Sequence, residues 1–290
     1  MWRKISALRW YISLTKPKIV LLVIWSGVTA LVTEGSLLNS FNRLAGVLLG
    51  TTLVAGAANA FNQVWDSDID AVMVRTRNTR PIPNGKVSPA EALIFSVLSG
   101  IIALFMLLVA GNLQAAALGL SGMVIYMAYT IFLKRRTPVS TVIGGVSGAC
   151  APLICWVAGS GSLTTIPLLI ALIIFFWSPP HFWSLALFRK EDYVRTGIPM
   201  LPVVAGEKRT RIEIAIYTAL LLLVVAYLGI QAHLGWIYFG VSTFLGMVMA
   251  GFVIRLLCGK DYKSAQALFR ISIIYLPALF CLIIGTGWLV

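Results

Sequence analysis

Nine apolar runs, each of bilayer-crossing length, leave this chain few choices of fold. A helical span needs about 20 mostly apolar residues, because the hydrocarbon core offers no water to unpaired backbone groups. The runs are Ile19–Thr33, Leu44–Val64, Ala92–Ala110, Ala115–Leu133, Thr141–Gly159, Ile166–Phe188, Ile212–Gln231, Trp236–Leu257 and Ile271–Leu289. The first is the shortest, and reaches back to Leu14 if Pro17 bends its entry. With 59% hydrophobic and only 11% charged residues, a soluble fold is excluded. The expectation is an all-α integral membrane protein with nine transmembrane helices. No soluble domain or linker breaks the 290 residues, so a single transmembrane domain is expected over 1–290.

The formal charge of +13 would suggest nucleic acid in a soluble chain. Its distribution says otherwise, and no nucleic-acid partner is expected. All but one of the 23 Lys and Arg lie in the N-terminal stretch, in the loops after spans two, four, six and eight or, for Arg255, in the last turn of span eight. Arg43 alone falls on the other side, with Glu34 the only acid there. The excess of basic residues marks the cytoplasmic face, which puts the N-terminus inside and the C-terminus outside. This is the pattern of a multi-pass protein of a cell membrane, such as a bacterial inner membrane. Gly46 and Gly50, and Gly144 and Gly148, recur one helical turn apart and read as close-packing sites between helices. The four cysteines lie in or beside apolar runs with no CxxC and read as small packing residues.

The densest chemistry comes after the second span, in NAFNQVWDSDIDAVMVRTRNTRPIPNGK from Asn59 to Lys86. Asn62, Asp66 and Asp70 are four apart, so on a helix they stack on one face while Asp68 points away. Stacked carboxylates repel one another unless a cation sits among them. Hard oxygen donors at this pitch suit Mg²⁺, which takes one or two carboxylates and completes its shell with water and phosphate. Arg75, Arg77, Arg80 and Lys86 come immediately after, and guanidinium groups are natural partners of phosphate oxygens.

Two further loops belong to the same face. YTIFLKRRTP brings Tyr129, Lys134, Arg135 and Arg136, which by itself is also a topogenic cluster. The stretch from Ser178 to Arg211 brings His181, Trp183, Arg189, Lys190, Glu191, Asp192 and Arg195, stiffened by Pro179, Pro180, Gly197, Pro199 and Pro202. His181 reads either as an interfacial hydrogen-bonding group or as an axial ligand or proton carrier. Together the three loops offer carboxylates for a metal and many cations for an anion.

These motifs resemble the UbiA superfamily of intramembrane prenyltransferases, whose signature is an NxxxDxxxD after the second of nine spans. NQVWDSDID, MVRTRNTRPIPNGKVSP, YTIFLKRRTP, PHFWSLALFRKEDY and GIPMLPVV resemble its protoheme IX farnesyltransferase (heme O synthase) branch. The likeness covers nearly the whole chain. It implies a UbiA-type helical bundle with an active site at the cytoplasmic face. It further implies Mg²⁺-dependent transfer of a farnesyl group from farnesyl diphosphate to the 2-vinyl of heme b, with addition of water. The metal set implied is Asn62, Asp66, Asp70 and Asp192; the diphosphate set is Arg75, Arg77, Arg80, Lys134, Arg135, Arg189 and Lys190. His181, Trp183 and Tyr129 are the implied heme contacts, and heme A synthase or terminal oxidase assembly the implied downstream partners. Most of the superfamily carries a second DxxxD after span six; here Arg189, Lys190, Glu191 and Asp192 stand in its place. An aromatic acceptor from quinone or chlorophyll synthesis would call for that missing motif. An ion-coupled transporter would place acids near the midplane, whereas every acid here lies at or beyond a span end.

Overall fold

The fold is built from long helices wherever the sequence supplies an apolar run between cap signals. The structure, a computed structural model, describes residues 2–259 and 261–287, and of residues 2–7 the backbone alone. The expected end of the last span at Leu289 lies outside them. Among the described residues nine helical segments are long and apolar enough to cross a membrane. They are Pro17–Glu34, Phe41–Trp65, Pro89–Gly111, Leu113–Leu133, Ser140–Ser160, Thr165–Phe188, Gly206–Gln231, Gly235–Cys258 and Tyr262–Gly287.

Local signals explain the boundaries. Helix α1 (Trp2–Leu14) precedes the first span, α2 (Pro17–Glu34), which opens with proline at its first position and ends at Gly35 with φ 86°. Thus the first span does not reach back to Leu14: the chain breaks between the helices, where Lys16 takes a left-handed conformation. Helix α3 (Phe41–Trp65) ends at Asp66, and a short helix α4 (Ser67–Val72) starts beyond it. Helix α5 (Pro89–Met106) begins with a full capping box between Ser88 and Glu91. Helix α6 (Leu113–Ala128) is capped by Asn112, whose side chain accepts from the Ala115 amide at 2.9 Å.

The fifth span consists of α7 (Ser140–Gly148) and α8 (Cys150–Ser160). Pro152 accounts for the break, because its ring clashes with the carbonyl four residues back. Helix α9 (Thr165–Phe188) instead runs straight through Pro179 and Pro180. The loop after it therefore starts only at Arg189, and is made of α10 (Lys190–Arg195) and α11 (Leu201–Val204). The last three spans are α12 (Gly206–Gln231), α13 (Gly235–Cys258) and α14 (Tyr262–Gly287).

Close packing relies on small residues, since lipid gives apolar helices no solvent-driven reason to associate. Gly50 and Gly46 on α3 face Leu107 and Ala110 at the end of the third span. A side chain at Gly27 would meet Cys155, so that cysteine fills a helix contact. Gly229 faces Tyr238, which is fully buried and donates from its hydroxyl to the Val225 carbonyl at 2.8 Å. A Cβ at Gly229 would lie 2.5 Å from the Tyr238 ring. Gly229→Ala should destabilise the α12–α13 pair by about 1–3 kcal/mol, read as a lower Tm in detergent. A wild-type Tm would refute this packing argument.

Candidate functional site

The site forms where the ends of α1, α3 and α6 meet the loop after α4. Gln63 starts its construction. Its Nε2 donates to the carbonyls of Ser13 and Leu14, at 3.1 and 2.9 Å, and ties the end of α1 to α3. Leu14 is fully buried against Ala60, Ile82, Val87 and Ala92. The chain then turns through Lys16 at φ 55°, ψ 64°, a conformation disfavoured for a residue with a Cβ. That turn aims the lysine inward, and its Nζ donates to Asn62 Oδ1 at 2.6 Å.

A second local device delivers the next cation. The fourth span ends in a π-helical turn, Tyr129–Leu133, closed by the Lys134 amide on the Tyr129 carbonyl at 2.9 Å. The extra residue in such a turn shifts the register of the residues beyond it. Thr130 is fully buried at 3.4 Å from Asn62 Nδ2, and Lys134 pairs with Asp66 Oδ2. Arg80 closes the cluster by reaching back from the loop to Asp70 Oδ2. Thr76 fixes that loop, its hydroxyl donating to the Asp70 carbonyl at 3.0 Å.

Asn62, Asp66 and Asp70 do stack across the break at Asp66, because the Asp70 amide still bonds the Asp66 carbonyl at 2.8 Å. Asn62 Nδ2 donates to Asp66 Oδ2 at 2.6 Å, and Asp66 is 0% exposed. Asp68 turns outward with its side chain 64% exposed, and holds Arg135 through two bonds of 2.8 and 2.9 Å. Three cations, Lys16, Arg80 and Lys134, thus surround two buried carboxylates. Burial raises the Asp70 carboxyl above its usual range, against the pull of Arg80 and Lys134. Burial, reinforced by Arg80 and Lys134, lowers the Lys16 ammonium well below its own. The Arg135 hydrogen bonds lower Asp68. An exposed pair of this kind contributes little. Asp68→Ala should therefore leave turnover within about threefold of wild type. A loss matching that of Asp66→Ala in the same assay would refute the two-sided arrangement.

The donor set fits a divalent cation. Asp66 Oδ1 is buried with no hydrogen-bond partner among the described residues, an atom of a kind that native interiors seldom leave alone. Arg135 Nη2 lies 3.9 Å from it. Among the described residues no three His, Cys, Asp or Glu side chains gather closely enough to hold a metal together. Asp192, though buried in α10, is therefore not brought into one group with Asp66 and Asp70.

The other sequence candidates are dispersed. Arg75 and Arg77 are exposed. Arg189 is exposed at the end of α9, and Lys190 pairs with Glu207 of α12 at 3.3 Å. Trp183 packs edge-on against Tyr217 of α12, with centroids 5.3 Å apart, and is not among the residues lining the cavity. Tyr129 lies against Gly144, 5.7 Å from the Tyr126 ring. His181 faces α14, where its Nδ1 meets Ser272 Oγ at 2.8 Å.

Beside the charged cluster lies a cavity of about 170 Å³, open at its edge. Its walls are mainly apolar, with Leu22, Val54, Ile154 and Ile174 among them, and Trp177 and Phe182 present aromatic rings. Asn59 and Tyr126 form its polar end, joined by a 3.2 Å hydrogen bond. Asn59 lies nearly one turn before Asn62 on α3, so the cavity meets the cluster there. Lys16, Asn59, Tyr126 and Thr130 were not singled out from sequence as site residues. Only Lys16 carried a signal: a basic residue directly before the proline that opens a span.

Such a site on nine spans matches a known family along most of the chain. The UbiA prenyltransferase family pattern matches residues 20–276. This chain belongs to the UbiA prenyltransferase family. Relatives within that family include the protoheme IX farnesyltransferase of Symbiobacterium thermophilum, 40% identical over 278 residues. That match covers 95% of this chain and 93% of the relative. The protoheme IX farnesyltransferase of Teredinibacter turnerae is 42% identical over 290 residues, 98% of this chain and 92% of its own. Solved structures agree on the UbiA fold. A digeranylgeranylglyceryl phosphate synthase superposes with a TM-score of 0.82 at 18% identity, covering 98% of this chain and all of that one. An Archaeoglobus fulgidus UbiA homologue bound to DMAPP and Mg²⁺ gives 0.63 at 16% identity, over 95% and 99% of the two chains.

Proposed function

We propose that this chain transfers a farnesyl group from farnesyl diphosphate to the 2-vinyl group of protoheme IX, giving a hydroxyethylfarnesyl heme. The observation that carries the reading is the buried cluster of three cations and two carboxylates at the polar end of an apolar cavity. Relatives about 40% identical over nearly their full length bear the corresponding name. Lys16, Arg80 and Lys134 bind the diphosphate and stabilise it as it leaves with the electrons of the allylic C–O bond. Asn62, Asp66 and Asp70 would hold Mg²⁺, which supplies further neutralisation of that charge when bound. The Mg²⁺ in the Archaeoglobus fulgidus homologue supports this choice of metal.

The apolar walls keep water from the allylic cation, and Tyr126, Trp177 and Phe182 offer it aromatic faces. The vinyl π electrons then form the new C–C bond. The charge moves to the adjacent carbon, where water adds and loses a proton. Arg75, Arg77, Arg135, Arg189 and Lys190, though dispersed, add to the positive field that draws in the anion, and Asp192 is the candidate for a further metal contact. The site lies at the cytoplasmic face of a single domain spanning 1–290, with the N-terminus inside and the C-terminus outside, supported by the sidedness of the basic residues. The bacterial inner membrane is the setting proposed, and heme A synthase or terminal oxidase assembly the destination of the product.

The test is direct. Purified protein incubated with heme b, farnesyl diphosphate and Mg²⁺ should yield a heme whose mass has risen by one farnesyl group plus one hydroxyl group. No such product, or prenylation of a phenolic acid in its place, would overturn the reading.

A further inference from the structure

His181 and Ser272 form a constellation that the farnesyl-transfer scheme leaves unused. On α9 the His181 ring stacks on Trp177 one turn earlier, with centroids 4.4 Å apart and planes 18° apart. From α14, Phe269 covers the other face at 4.7 Å and 28°. Phe182 meets the ring edge-on at 5.2 Å. Trp177 and Phe182 both line the cavity, and the imidazole packs against both of them from behind that wall. Three aromatic neighbours fix the plane of the ring, and the open variable is which nitrogen holds the proton.

Ser272 decides that. Its hydroxyl donates to the Phe269 carbonyl at 2.7 Å, and a serine hydroxyl has one hydrogen. Towards His181 Nδ1, 2.8 Å away, Ser272 Oγ can therefore only accept. Trp177 Nε1 donates to the Ser272 carbonyl at 2.9 Å, which locks this residue against α9. No carboxylate lies among the contacts of the ring, and an unpaired imidazolium within the bilayer is costly, so the ring is neutral. With Nδ1 protonated, Nε2 is a bare lone pair. Among the described residues it makes no hydrogen bond, and it is not among the buried atoms that lack a partner, so it retains accessible surface.

We infer that Ser272 is a positioning residue that holds His181 in the Nδ1–H tautomer and presents Nε2 as a ligand to the iron of the porphyrin acceptor. This rests on the porphyrin reading of the same site. A histidine that ligates metal through one nitrogen ordinarily donates the other N–H to a fixed acceptor, and Ser272 Oγ is such an acceptor. A heme propionate is the wrong partner for this atom: it needs a donor, and Nε2 in this tautomer is an acceptor.

The chain contains only two histidines, so labelling with [15N]histidine gives two ring systems, and His233→Ala assigns them. In the heme-free protein His181 should show a protonated Nδ1 and an unprotonated Nε2. Ser272→Ala should populate the Nε2–H tautomer, while Ser272→Thr keeps the wild-type pattern. A wild-type ring protonated on Nε2 would overturn the inference. The ligand is then tested by titrating ferric heme b and metal-free protoporphyrin IX into each protein. Heme affinity should fall about tenfold in Ser272→Ala and further in His181→Ala, with a displaced Soret band, while metal-free porphyrin binds as before. Equal losses for both porphyrins, or an unchanged Soret band in His181→Ala, would overturn iron ligation. A wild-type protein that forms no farnesylated heme would instead overturn the parent reading, and the nitrogen spectra would still report the tautomer.

Discussion

Asp66→Ala should lower the rate of farnesyl transfer about 10²–10³-fold or more, with the protein still folded in the membrane. Asp66 is the one side chain on which the cluster converges. Its Oδ2 accepts from Asn62 and Lys134, and its buried Oδ1 has no partner. Removing the carboxylate takes away half the negative charge that offsets Lys16, Arg80 and Lys134, together with the open metal donor. Asp66→Asn separates shape from charge, because the amide preserves the size of the group. An equal loss in that variant assigns the effect to charge. Initial rates across a Mg²⁺ titration are the measurement, with size-exclusion elution and Tm as controls for folding. Wild-type turnover in Asp66→Ala would sink the site, and full activity under a chelator would remove the metal from it.

Lys16→Ala should cost about 10²-fold in kcat/KM for farnesyl diphosphate and leave heme binding unchanged. Lys16 reaches the cluster, through Asn62, from a segment far away in sequence. It also does so in a strained backbone conformation, and strain of that kind persists where the surrounding structure over-determines it. A glycine tolerates φ 55° where alanine does not. Lys16→Gly should thus be more stable than Lys16→Ala by up to about 1 kcal/mol and just as impaired. Two residues on, Lys18 is exposed, so Lys18→Ala should behave as wild type. If Lys16→Gly regained activity along with stability, the loss in Lys16→Ala would be a backbone effect and the assigned role would fail.

Much of this was readable along the chain. The nine spans were, because hydropathy over about 20 residues is a local quantity and the bilayer demands it. Most boundaries fell within a few residues of those observed, and the largest shifts came where polar residues open a helix. Span seven begins at Gly206 rather than Ile212 because Glu207, Lys208, Arg209 and Arg211 are helical before the chain becomes apolar. The opposition of Asp66 and Asp70 to Asp68 came from the four-residue pitch, and survives a helix break because the hydrogen bond from the Asp70 amide to the Asp66 carbonyl spans it.

By itself, then, the sequence determined the all-helical membrane architecture, the stacking of the Asn62–Asp70 ladder on one face and the excess of cations on one side. It could not choose among those cations. Arg75, Arg77, Arg80, Lys134, Arg135, Arg189 and Lys190 look alike along the chain, and the tertiary structure sorts them by reach. Arg80 and Lys134 close on the carboxylates, Arg135 is held outside by Asp68, and Lys190 is held by Glu207. Lys16 joins the site through a left-handed turn held by Gln63, and Lys134 through a π-helical turn whose extra residue leaves no mark in hydropathy. His181 meets a serine 91 residues away on another helix. The reason is the same in each case. Periodicity reports which face of one helix is apolar, but a polar contact between two helices depends on their relative placement, which only packing decides.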